Sequence, residues 1–244
     1  MTLFVTSSPC VDGADRAILN PANGFLDLLR EVLPENPRCL FVASSPEDRN
    51  ATCRFGANMF SAFAEAGIPF SAYAILDGYN AEDAPELVFD SDFIILAGGH
   101  VPTQNQFFQE IRLRELLEGY PGTIMGISAG SMNCADVVYA QPELPGESID
   151  PDYQRFLPGL GLTDVNVCPH YQKVKDDIID GQRLFEDVTY ADSQGRSFYA
   201  LPDGSYLVKK DSTTLLVGEA YRIKNGILEM LTRNGESLVL STRM

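Results

Sequence analysis

Tryptophan is missing from this 244-residue chain, histidine occurs only twice, and lysine and arginine together number 18 against 34 aspartates and glutamates. The resulting charge of −16 at pH 7 repels polyanions, which argues against nucleic acid or an anionic membrane surface as a partner. Five cysteines (Cys10, Cys39, Cys53, Cys134 and Cys168) are odd in number and have no C-x-x-C spacing, so neither a disulfide framework nor a zinc site is expected. No metal or organic cofactor is implied. No apolar run approaches the roughly 20 residues of a membrane helix, and no basic stretch precedes an apolar run at the start, where the first basic residue is Arg16. The expected setting is the cytoplasm.

What the chain does have is a regular alternation. Short apolar runs at Thr2–Thr6, Cys39–Ala43, Phe70–Leu76, Phe93–Leu96 and Thr123–Ile127 read as buried strands, and the segments between them carry apolar residues at helical spacing. In one such helix, which Asn50 is placed to cap, Phe55, Met59, Phe60 and Phe63 share a face; another carries Phe107, Phe108, Ile111, Leu116 and Leu117. This pattern predicts an α/β fold with a doubly wound, mostly parallel sheet, in which the loops at the C-terminal strand ends form the site. Residues 141–161, rich in Pro, Gly, Glu and Asp, read as a long surface loop that restricts access to the site. Asp164–Cys168 is a further strand, followed by a helix through Ile178, Ile179 and Leu184. The remaining pieces, separated by Asp203-Gly204 and Asn225-Gly226, read as antiparallel hairpins. A single domain over residues 1–244 accounts for the whole chain.

The chemistry centres on Gly126-Ile127-Ser128-Ala129-Gly130, a G-x-S-x-G nucleophile elbow between an apolar strand and a helix expected to run on through Met132-Asn133-Cys134-Ala135. A side chain on either glycine would collide with so tight a turn. Ser128 needs a base to take its proton, and His170, just after a strand and a proline, is placed for that task. His100, the rival base, directly follows Gly98-Gly99 and is expected to line the pocket or fix that loop. The backbone N–H groups of Gly99 and Ala129 are the expected oxyanion donors. A carboxylate should orient the imidazole: Asp203 is one candidate, and Glu143 and Glu147 in the long loop are others. The order Ser, His, Asp differs from that of the α/β-hydrolases, which run Ser, acid, His.

Ile94-Ile95-Leu96-Ala97-Gly98-Gly99, Gly126-Ile127-Ser128-Ala129-Gly130, Pro169-His170-Tyr171 and Leu201-Pro202-Asp203-Gly204 together resemble the aspartyl dipeptidase and cyanophycinase family of serine peptidases. That family has the class I glutamine amidotransferase-like fold. The resemblance implies Ser128 as nucleophile, His170 as base, Gly99 and Ala129 at the oxyanion, and Asp203 where the aspartyl dipeptidases place a glutamate. Cyanophycinases take the acid from the loop after the nucleophile helix, which keeps Glu143 and Glu147 open. The implied substrate is a short peptide, an α- or β-aspartyl dipeptide, and the protein would be a monomer or homodimer. His100 and Ser131 depart from the family pattern and would border the pocket that recognises the aspartyl group. Two rivals share the same residues: an esterase or amidase acting on a non-peptide acyl substrate, and a binding or regulatory module that has lost turnover.

Overall fold

A computed structural model describes residues 1–240. Its centre is a parallel array of five strands: β1 (Thr2–Thr6), β2 (Arg38–Val42), β3 (Ala72–Leu76), β4 (Phe93–Leu96) and β5 (Thr123–Ile127), in the order β1-β5-β4-β2-β3. Successive residues of a strand point to opposite faces. Leu3, Val5, Leu40, Val42, Ile94, Leu96 and Ile124 therefore enter one core, and Phe4, Cys39, Phe41, Phe93, Ile95, Met125 and Ile127 another.

Helices cover both faces. Helices α1 (Phe25–Val32) and α2 (Arg49–Glu65) send Phe25, Leu29, Met59 and Phe63 into the second core. Helices α3 (Ala84–Phe89), α4 (Val101–Glu110) and α5 (Leu113–Leu116) send Val88, Phe107, Phe108 and Leu113 into the first. Because both faces of β1, β2, β4 and β5 are buried, those strands read as largely continuous apolar runs, while β3 at the sheet edge is more exposed. The cap of α2 is Asp48, whose carboxylate accepts the Ala51 N–H at 2.9 Å, and Asn50 lies inside the helix. The single helix expected through Leu117 is broken at Arg112, which takes a left-handed φ of 52°.

After β5 comes one helical turn, α6 (Ala129–Met132), and then the chain leaves the helix earlier than its sequence suggests. The carbonyls of Asn133, Cys134 and Ala135 accept N–H groups from Leu160, Leu162 and Gly161, so tertiary bonds replace the next helical turn. Strands β6 (Val137–Tyr139) and β7 (Phe156–Pro158) pair with each other, and β7 gives the far end of the long loop regular structure. Strand β8 (Asn166–Cys168) leads to α7 (Tyr171–Val174). The longer helix expected there is absent: Ile178 and Ile179 form β9 (Ile178–Ile179), paired with β10 (Gln182–Arg183) around Asp180-Gly181, both at positive φ. An Asp-Gly pair favours such a hairpin turn over helix.

The C-terminal strands divide between two sheets. β11 (Ser197–Ala200) joins β8, while β12 (Tyr206–Lys210) and β13 (Thr213–Val217) extend the main sheet beyond β1. β14 (Ala220–Lys224) and β15 (Ile227–Thr232) complete the sheet of β8 and β11, and β16 (Ser237–Leu240) returns to pair with β13. Asn225-Gly226 is the expected hairpin between β14 and β15. Asp203-Gly204 instead carries the chain from one sheet to the other, which brings Asp203 beside the end of β8. Among the described residues no helix is long and apolar enough to cross a membrane.

Candidate active site

Strand β5 lies between β1 and β4, and its C-terminal end delivers Ser128 in a strained conformation, φ 48° and ψ −109°. The turn is tied to β1: the Ser128 N–H points at the carbonyls of Thr6 and Ser7, both at 3.1 Å, and the Thr6 hydroxyl donates to Gly126 O at 2.7 Å. A Cβ on Gly126 would lie 2.6 Å from the Ser131 backbone, and one on Gly130 would overlap the Leu96 carbonyl. Gly130→Ala should therefore destabilise the fold by ~1–3 kcal/mol or more, the usual cost of overpacking, seen as a lower urea midpoint with an unchanged slope. Among the described residues, no group of the chain accepts a hydrogen bond from the Gly99 or Ala129 N–H. Gly99 follows the end of β4 and Ala129 is the first residue of α6 at the end of the adjacent β5, and unpaired donors there can hold a developing oxyanion.

His170 precedes α7 with a left-handed φ of 57°. Its Nδ1 is 2.7 Å from Asp203 Oδ1, and its own N–H donates to Ser7 Oγ at 2.7 Å. The Ser7 hydroxyl in turn donates to Asp203 Oδ1 at 2.8 Å. On the other side, Lys173 Nζ stands 2.9 Å from Asp203 Oδ2 and 2.7 Å from Asp12 Oδ1. Burial would by itself push the Asp203 carboxyl up, but bonds from His170, Lys173 and Ser7 outweigh it and hold the group well below the usual carboxylate range. An ionised carboxylate can only accept, so a proton sits on His170 Nδ1, and in the neutral tautomer this selects, Nε2 is the acceptor.

Ser128 and His170 open into one cavity of about 230 Å³. The loop after β6 contributes Gln141, Pro142 and Glu143 to its wall, and Asp177, Ile179 and Leu184 close the other side. Glu143 is exposed as a residue, yet its carboxyl is crowded between the cavity wall and the start of α4; burial and the neighbouring Glu147 raise its pKa to about 7, against the pull of His100, Val101 N–H and His170. It makes no hydrogen bond to His170. Glu147 reaches the other histidine, with Oε1 2.7 Å from His100 Nε2. His100 does not line the cavity, and Ser131 is fully buried with its hydroxyl donated to Thr6 O at 2.7 Å. Neither borders the space beside Ser128. Among the described residues, no cluster of three or more His, Cys, Asp or Glu side chains is placed to hold a metal ion.

Ser7 and Lys173 are the members that sequence reasoning passes over. Ser7 follows the C-terminal end of β1, where site residues of such a sheet collect, and that position is its only signal. Lys173 lies three residues after His170, one turn along α7, so its partnership with Asp203 depends on the chain crossing between sheets.

Compared with known proteins, the sequence matches the model of peptidase family S51 over residues 14–217. No curated protein sequence matches it significantly. Among solved structures, the 1.5 Å crystal structure of a candidate peptidase E from Listeria monocytogenes EGD-e is similar, with a TM-score of 0.60 at 15% identity, covering 95% of this chain and 98% of that one. At that identity the likeness shows the fold: an α/β arrangement of the class I glutamine amidotransferase-like kind, with a mostly parallel central sheet and added antiparallel strands.

Proposed function

The chain belongs to peptidase family S51 and is a serine-type peptidase, and from that premise we propose that it hydrolyses short peptides through an acyl-enzyme formed on Ser128. The observation that carries this reading is the 2.7 Å contact of His170 Nδ1 with an ionised Asp203, on a histidine that shares its cavity with Ser128. His170 Nε2 takes the hydroxyl proton as Ser128 Oγ attacks the scissile carbonyl carbon. The carbonyl π electrons move onto oxygen, where the N–H groups of Gly99 and Ala129 receive the negative charge. His170 returns the proton to the leaving amine as the C–N bond breaks, then draws a proton from the water that attacks the ester and restores Ser128. Asp203 stays ionised and stabilises the transient imidazolium.

The finer specificity implied by the family resemblance, an α- or β-aspartyl dipeptide, names the first substrates to test. The cavity lining favours a broader choice. Its titratable members besides His170 are Glu143 and Asp177, and among the described residues no lysine or arginine lines it. Arg183, next to the lining residue Leu184, is forked onto Asp187 through Nη2 at 2.6 Å and Nε at 3.0 Å. A substrate carboxylate would meet Glu143 and Asp177 with no lysine or arginine among the described lining residues, whereas an α-amino group or a neutral side chain would not be repelled. We therefore expect Leu-Leu and Lys-Leu to be cleaved with kcat/KM at least equal to that of Asp-Leu and its β-linked isomer, followed by mass spectrometry. An aspartyl preference of about tenfold or more in kcat/KM would contradict the broad reading.

A further inference from the structure

Outside the Ser128, His170 and Asp203 group, a partly buried polar assembly joins the other histidine to the long loop. His100 is the residue before α4 and follows Gly98-Gly99. Both of its ring nitrogens are engaged, Nδ1 with Thr103 Oγ1 at 2.8 Å and Nε2 with Glu147 Oε1 at 2.7 Å. The second oxygen of Glu147 accepts the N–H groups of Glu143 at 2.8 Å and Leu144 at 2.9 Å. Only 13% of the Glu147 side chain and 24% of that of His100 are exposed, so these bonds are partly shielded from water. On either side of Glu147, Asp180 in the β9–β10 turn accepts the Gly146 N–H at 2.8 Å and the Ser148 hydroxyl at 2.9 Å. Residues 146–148 are thus held from two sides, Glu147 by the start of α4 and its neighbours Gly146 and Ser148 by the hairpin that supplies Ile179 to the cavity.

We propose that Glu147 is a positioning residue for peptide binding: through His100 it fixes the Pro142 and Glu143 part of the cavity wall at a set distance from the Gly98-Gly99 loop. The proposal rests on the peptidase reading for its kinetic consequence, though the contacts themselves do not. Loss of Glu147 frees the Glu143 and Leu144 N–H groups and releases His100, while Gln141 stays held by Thr189 Oγ1 at 2.7 Å. Residues 142–145, between the points held at Gln141 and at Gly146, then lose their tie to α4 and can shift. Ser128, His170 and Asp203 share no hydrogen bond with Glu147, and the Gly98-Gly99 loop keeps a tie of its own, the Ser44 hydroxyl donating to Gly98 O at 2.6 Å, so the chemical step is largely preserved. A displaced wall weakens substrate binding and should appear chiefly in KM.

Glu147→Ala should raise KM for a cleaved dipeptide by about tenfold, with kcat changed by no more than about threefold. Glu147→Gln, which retains an acceptor for the loop amides, should restore most of the loss. Hydrolysis of p-nitrophenyl acetate, too small to use the wall, should be unaffected. His100→Ala should reproduce much of the Glu147→Ala effect, and the double variant should be little worse than Glu147→Ala, because both single changes remove the His100–Glu147 contact. Amide hydrogen exchange on the folded variants decides the contact independently of turnover: the Glu143 and Leu144 amides should lose protection in Glu147→Ala and His100→Ala. The proposal is overturned by unchanged exchange, by an unchanged KM, or by a collapse of kcat at constant KM, the last of which would make Glu147 a catalytic acid. A wild type that cleaves no peptide but shows the exchange difference would refute the peptidase reading and leave the contact standing.

Discussion

Replacing Ser128 with alanine should lower kcat/KM for peptide cleavage by about four to six orders of magnitude, leaving a residue of activity from the oxyanion donors and substrate binding. The same change should hardly move stability. Among the described residues the Ser128 hydroxyl makes no hydrogen bond, so its loss leaves no partner stranded. Alanine keeps the Cβ that makes φ 48° costly, so the strain of the turn is the same in both proteins. A Tm within ~2 °C of wild type is expected. Activity loss with stability retained separates a nucleophile from a structural serine, and the pair of measurements can be made on one preparation. A fall in Tm that matched the fall in activity would point to a packing role.

The second large effect falls on Asp203. Asp203→Asn places an amide where a carboxylate accepts three hydrogen bonds or ion contacts, from His170, Ser7 and Lys173. If the amide donates to His170 Nδ1, the imidazole takes the wrong tautomer and Nε2 can no longer accept the Ser128 proton. The expected loss is about 10³- to 10⁴-fold in kcat with little change in KM. Stability should change with a definite pH signature. The Asp203 pKa is depressed in the folded chain, so the carboxylate stabilises the wild type above the ordinary aspartate value of about 3.9, and that advantage declines as pH falls toward the depressed value. Denaturant unfolding of wild type and variant at neutral and acidic pH should therefore show a gap that narrows in acid. Near-wild-type kcat in Asp203→Asn would remove it from the proposed triad and return attention to Glu143, which lines the cavity with a pKa near 7.

These two residues also mark how far the sequence can be read. Ser128 is legible because local chemistry dictates its setting: apolar residues on both sides of β5, a turn that admits only glycine at 126 and 130, and a strand end where such folds collect their site. The strands around it are legible for the same reason, since burial on both faces demands continuous apolar runs. Asp203 is half legible. Its residue type and place after a strand are plain, but Asp203-Gly204 carries equally the signature of a hairpin, and only the division of β11 and β12 between two sheets turns the side chain toward His170. Ser7, Lys173 and the pairing of His100 with Glu147 cannot be read from spacing, because each depends on segments far apart in the chain. Where local propensity and tertiary bonding compete, tertiary bonding wins: α6 stops after one turn because residues 160–162 take up the carbonyls at 133–135, and Asp180-Gly181 turns a predicted helix into a hairpin.

The central claim is that Ser128, activated by His170, attacks an acyl carbon, and covalent trapping tests it most directly. A fluorophosphonate reacts with an activated serine by forming a phosphorus–oxygen bond and expelling fluoride. Intact-mass measurement followed by peptide mapping should find one adduct, on the peptide containing Ser128. The adduct should be absent from Ser128→Ala and strongly slowed in His170→Ala. Peptide hydrolysis that continues while Ser128 remains unlabelled, or that survives in Ser128→Ala, would contradict the account.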